Sequence, residues 1–186
     1  MNRRRLVLTL FAAVVLAQIA VPVWAILRME MPLRGGTPFR FRVDLEDPYD
    51  PFRGRYLALR LEEWSAPVPE DEFMQGGQSV FAVIEEGPDG FARVGGVSRL
   101  RPDDALYVRA SVQYVADDRA WLDLPFRRYY MDEGALRRAE SALSRADDSA
   151  EVYVLVRVSR GVAALEELYV NGVPIAEYIE AAPWSH

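Results

Sequence analysis

The chain has 186 residues, 51% of them hydrophobic, and a formal charge of −6; one ordinary core and a single compact domain are the first expectation. It contains no cysteine and no lysine, all 22 basic residues being arginine, and its one histidine is the terminal His186. Thiol nucleophiles, disulfides, Cys/His zinc sites, a phosphate-loop lysine, Schiff-base chemistry and an interior Ser-His-Asp arrangement are thereby excluded.

Arg3, Arg4 and Arg5 precede an uncharged run from Leu6 to Leu27. At about 1.5 Å per residue that run crosses a hydrocarbon core of roughly 30 Å. It is read as a transmembrane helix, with residues 1–5 a cytoplasmic stub, because basic residues stay on the cytoplasmic side. The bulk of the chain is then expected to be periplasmic, or otherwise extracytoplasmic, on a single-pass anchor in the inner (cytoplasmic) membrane. A cleaved signal peptide is the competing reading, with Ala25 at the cleavage position, but the run exceeds the usual apolar core of about 7–15 residues. Taking the three N-terminal arginines from the formal −6 leaves −9 for the remainder, a poor match to nucleic acid or an anionic lipid surface.

Residues 28–38, with Pro32, Gly35, Gly36 and Pro38, read as a spacer, and residues 39–186 as the extracytoplasmic domain. Phe39, Phe41 and Val43 alternate with Arg40, Arg42 and Asp44, a strand with one buried face. Two Asp-Pro dipeptides at Asp47 and Asp50 force extended or turn geometry. Gly54 permits a bend before a second strand in which Leu57, Leu59 and Leu61 share one face. Trp64 to Gly77 reads as a loop. Ser79 to Glu86 and Phe91 to Ser98 form a hairpin about Gly87-Pro88-Asp89-Gly90. Ala105 to Val115 and Arg119 to Phe126 pair across Asp117-Asp118. The period then changes: after Asp132 as a cap, Leu136, Ala139, Leu143 and Ala146 recur at helical spacing through Arg145. Glu151 to Ser159 and Ala163 to Val170 flank Arg160-Gly161 as a hairpin, and Asn171-Gly172 marks another turn. The sum is a mainly β domain of seven or eight short antiparallel strands, barrel-like or sandwich-like, with one soluble helix.

Gly54-Arg55-Tyr56-Leu57-Ala58-Leu59-Arg60-Leu61 resembles the motif of the bacterial GDYXXLXY family, membrane-anchored proteins of unknown function. The lead-in from Asp47 to Arg53 is similar to that family's approach to the motif. So is the patch Arg128-Tyr129-Tyr130 followed by Glu133-Gly134, and so is the closing hairpin from Gly161 to Gly172. The resemblance runs from Leu33 to Val173. Gly54, Tyr56 and Leu59 are its structural motif residues. Arg55 stands where the family has aspartate and Leu61 where it has the final tyrosine. An obligatory carboxylate at position 55 is therefore untenable for this chain, whereas an aliphatic at 61 fills an aromatic's core site at modest cost.

Two patches carry the expected contact surface. Asp47, Asp50, Arg53 and Arg55 form a charged loop that serves first as a turn. Arg127, Arg128, Tyr129 and Tyr130 combine the residue types that dominate protein-binding hot spots. The functional expectation is a binding or accessory module engaging a protein partner in the envelope, with no nucleic acid, cofactor or metal. Asp103-Asp104, Asp117-Asp118 and Asp147-Asp148 lack the alternating spacing of a calcium loop. One alternative is a hydrolase working through Asp47, Asp50, Asp132 or Glu133, or an inactive relative of the signal-peptidase barrel, whose lysine is missing here. Another is a plain structural module of the envelope.

Overall fold

A computed structural model of the chain describes residues 3–46, 56–143 and 150–181. The first helix, α1 (Arg3–Gly35), is longer than the apolar run, because residues 28–35 continue the helix rather than form a spacer. Neither Pro22 nor Pro32 ends it; termination comes at Gly36, whose N–H reaches back to the Pro32 carbonyl at 2.7 Å. A Cβ on Gly36 would lie 2.6 Å from that carbonyl oxygen, so the turn into the first strand requires glycine. Within Val7–Gly35 an 18-residue window reaches a mean hydropathy of 2.4, and the helix is long and apolar enough to cross a membrane. Arg28 lies 5.3 Å over the Trp24 ring, at the polar end of the apolar run.

The remainder is antiparallel sheet, with eleven strands and three helices among the described residues. In chain order the strands are β1 (Thr37–Glu46), β2 (Tyr56–Leu61), β3 (Ser65–Pro67), β4 (Ser79–Glu86), β5 (Ala92–Ser98), β6 (Tyr107–Ala116), β7 (Arg119–Asp123), β8 (Arg128–Tyr130), β9 (Val152–Ser159), β10 (Val162–Val170) and β11 (Val173–Pro174). The expected strand class holds, with a higher count. β3 lies inside the stretch read as loop, and β8 inside the Arg127–Tyr130 patch, for which no strand is expected. The helices are α2 (Glu133–Leu143) and a second soluble helix, α3 (Ile175–Ala181), in the tail. Asp132 caps α2 as its spacing predicts, its Oδ1 accepting the Ala135 N–H at 2.9 Å.

Two sheets form, in the orders β11-β10-β9-β1-β2-β8 and β3-β7-β6-β4-β5, and curl into a half-barrel and a nearly closed barrel. Alternation fills the space between them. Phe41, Leu59, Val154, Val156 and Leu168 from the first sheet meet Val80, Val108, Val112 and Leu122 from the second, all with 2% exposure or less. Leu57, Leu59 and Leu61 share the buried face, while Arg60 points to solvent. Three hairpins turn through pairs of residues with positive φ, at Asp117-Asp118, Arg160-Gly161 and Asn171-Gly172. Such pairs match the twist of the flanking strands. The sheets meet where Val108 bridges Gly161; a Cβ there would come within 2.5 Å of the Tyr107 ring, so this contact also demands glycine.

One hydrogen bond measures the curl. Tyr129 on β8 donates to Glu167 Oε1 on β10 at 2.6 Å, although four strand intervals separate them in the sheet order. A flat sheet would hold those strands roughly 19 Å apart at about 4.8 Å per interval. A bulge between Leu165 and Glu167 aims the Glu167 carboxylate, which also accepts the Leu168 N–H at 2.9 Å.

Candidate functional site

The short strand β8 builds the site. It pairs with β2 so that Tyr56 faces Tyr130, Leu57 faces Tyr129 and Ala58 faces Arg128. Because side chains alternate across a strand, Tyr129 follows Leu57 inward, while Arg128 and Tyr130 share the outer face with Tyr56. The packing agrees. Tyr129 rests half-buried against the core, whereas Arg128 and Tyr130 are exposed, Tyr130 to 67%. The four adjacent residues singled out by composition thus divide. Arg127, Arg128 and Tyr130 line one surface, and Tyr129 is a closure residue whose hydroxyl is held by Glu167. Burial first, then that carboxylate, push the Tyr129 pKa well above its ordinary value of 10.0.

The outer surface is a groove of about 480 Å³, lined by Tyr56, Ala58 and Leu59 of β2, Arg128 and Tyr130 of β8, and Asp123, Leu124, Pro125 and Arg127 from the segment before β8. The Tyr56 and Tyr130 rings lie 5.7 Å apart in a tilted pair, and the Arg128 guanidinium sits 5.2 Å over Tyr56. The neighbouring Tyr130 side chain, with smaller contributions from Tyr56 and Asp123, raises the Arg128 pKa. Arg127 pairs with Asp123 at 3.4 Å and lies 5.4 Å over Trp64. Trp64 in turn packs edge-on against Trp121 at 5.0 Å, and Trp121 stacks with Tyr114 at 5.6 Å. This aromatic bank beside the groove went unnoticed in the sequence because its members come from a loop and two strands. The four-residue spacing of Asp123 and Arg127 was its one readable signal.

Asp47, Asp50, Arg53, Gly54 and Arg55 lie outside the described residues, so the structure places the motif from Tyr56 to Leu61 only. Of the hydrolase candidates that are described, Asp132 is the α2 cap. The Ala135 N–H holds its carboxyl below the usual range, with lesser help from the Gly134 N–H and Arg138. Glu133 sits in the first turn of α2, 3.4 Å from Arg137. Asp117 and Asp118 are hairpin turn residues, and no cluster of three acidic or histidine groups able to hold a metal occurs among the described residues.

Neither a curated protein nor a solved structure matches the chain. The GDYXXLXY protein family matches residues 18–168, most of its length. In the motif that names the family, the first tyrosine is Tyr56, which lines the groove, and the leucine is Leu59, 1% exposed. The final tyrosine is replaced by Leu61, whose 2% exposure confirms that the position belongs to the core. On this match the chain belongs to the GDYXXLXY family.

Proposed function

We propose that the protein is a membrane-anchored, extracytoplasmic binding module that engages a protein partner through the groove between β2 and β8. The observation that carries this reading is that the family's first motif tyrosine, Tyr56, forms one continuous outward surface with Arg128 and Tyr130. Arginine and tyrosine supply most of the energy in protein contacts, and here they flank a concave surface instead of lying on a flat one. The apolar α1 supports the anchor, and the arginines ahead of it support an extracytoplasmic, periplasmic domain. The hydrolase reading has less behind it, since among the described residues the groove holds one carboxylate, Asp123, and that group pairs with Arg127.

A photo-crosslinking side chain placed at Tyr130, with Leu100 as an equally exposed control (77% exposed), tests the reading in cells. The expected result is one discrete adduct from position 130, absent from position 100 and lost on R128E substitution. The same adducts from both positions, or none from 130, would refute the groove as a contact surface.

A further inference from the structure

β8 ends its sheet, and among the described residues no strand pairs with its outer edge. The direction of its backbone groups follows from a single bond, the Leu59 N–H to the Arg127 carbonyl at 2.9 Å. Bonded and non-bonded pairs alternate along an antiparallel ladder. Leu57 and Tyr129 therefore exchange bonds, while the pairs Tyr56–Tyr130 and Ala58–Arg128 do not. It follows that the N–H and C=O groups of Arg128 and Tyr130 point away from β2, toward the open edge. The side chains of these same two residues are the exposed cation and aromatic of the groove. The backbone row faces the edge and the side-chain row stands at a right angle to it, on the outer face that an added strand would continue.

The charges beside that edge are not closed. Arg127 has Asp123, but no carboxylate lies within ion-pair distance of Arg128 among the described residues. Its neighbours are two tyrosines. This unmatched cation sits on a domain whose remaining charge is −9, so it marks a local positive spot on an otherwise anionic surface. A polyanion such as nucleic acid is repelled by the whole, whereas one carboxylate at the right place is not. Donor and acceptor groups repeating every second residue, about 7 Å apart, match the backbone of an extended polypeptide.

We propose that β8 receives an extended segment of the partner protein as an added strand, and that Arg128 selects an acidic side chain on that segment. This rests on the reading of the groove as a protein contact and adds the partner's conformation and charge. The ladder extends from Arg128 and Tyr130, the Tyr130 ring lies beside the incoming side chain with Tyr56 one strand behind it, and Arg128 pairs with its carboxylate.

The test uses the full chain in detergent micelles and three synthetic nonapeptides. The first is threonine-rich with a single central glutamate, its twin carries glutamine in that place, and the third is the glutamate peptide with alternate backbone nitrogens methylated. Amide hydrogen exchange is followed residue by residue. The glutamate peptide is expected to slow exchange at the Arg128 and Tyr130 amides by about tenfold or more and to leave Tyr129, already bonded to Leu57, unchanged. The glutamine twin should bind about tenfold more weakly, that being the usual scale of a charge-assisted contact, and R128Q should erase the difference. The methylated peptide should give no protection. Y130P removes an edge donor at a position that tolerates proline and should abolish binding while the thermal melt stays unchanged. Equal binding of the glutamate and glutamine peptides, protection at Tyr129 instead of its neighbours, or no binding would overturn the proposal. So would a dimer of the chain dissociated by Y130P, since β8 would then be occupied by a second copy. A discrete in-cell adduct at position 130 together with silent peptides would remove strand addition and leave the protein-binding reading standing; loss of both would remove both.

Discussion

Two regions of this molecule are made of arginine and aromatic rings, and they do opposite things. At the hairpin between β4 and β5, Phe91 is 9% exposed although it lies outside the central core, because Arg42 covers it at 3.9 Å and Tyr153 packs edge-on at 5.7 Å. Tyr153 stacks on Tyr169 at 5.0 Å, so the row runs across β9 and β10. The cation that covers the ring is answered: Arg42 binds Asp89 and lies 3.7 Å from Glu151, while Arg40 stands farther off, 5.6 Å from the same ring. The Phe91 N–H, and after it the Arg42 guanidinium, hold the Asp89 carboxyl below its usual range against the opposing effect of burial. At the groove between β2 and β8, the ring of Tyr130 is 67% exposed and, among the described residues, Arg128 has tyrosines beside it and no carboxylate within ion-pair distance. Composition alone does not separate a structural clasp from a contact surface. Burial of the ring and closure of the charge do.

This contrast can be broken or sharpened by substitution. The largest effect is expected from F91A, which empties a covered ring site at a cost of about 3–4 kcal/mol in urea unfolding; a loss below about 1 kcal/mol would mean that the clasp is not structural. Next comes Y129F, which removes the bond that closes the first sheet and should cost about 1–2 kcal/mol. It carries a pH signature. The folded-state pKa of Tyr129 lies above the ordinary 10.0, so its contribution is complete below that pH and is lost as pH rises beyond it. The wild-type chain should therefore lose stability above pH 10 more steeply than the phenylalanine variant. R128Q should leave the melting temperature unchanged while weakening partner capture about tenfold, the reverse of F91A. The smallest effect is at the acid end. Asp89 and Asp132 have depressed folded-state pKa values, so their contributions are present above the ordinary 3.8 and are lost as pH falls below it. D89N and D132N should each flatten that acid limb, as followed by thermal melts between pH 2 and 5.

The parts of the structure legible beforehand were those governed by neighbours in the chain. Phe39, Phe41 and Val43, like Leu57, Leu59 and Leu61, show a period of two because a strand with one buried face requires it, and these residues are buried as that period predicts. Asp132 announced α2 through its cap. By contrast, α3 spans seven residues, too few for a helical period to register. β3 and β8 are three residues each and have no sequence period of their own. Pro32 reads as a breaker, yet the helix passes through it to Gly36, since the interruption a proline imposes falls on bonds made one turn earlier.

By itself the sequence determined the apolar first helix, the alternation of the longer strands, the turns with positive φ and the narrow range of chemistries its residue types allow. Each of these is decided by dihedral preference or by periodicity over a few residues. Tertiary structure alone decided which strands meet: β1 lies against β9, more than a hundred residues away, and β8 lies against β2. That second pairing turned Tyr129 inward to Glu167 and left Arg128 and Tyr130 outside. No local preference separates three such neighbours. The ladder on one side, and the open edge on the other, do so by fixing which face of each residue meets the core.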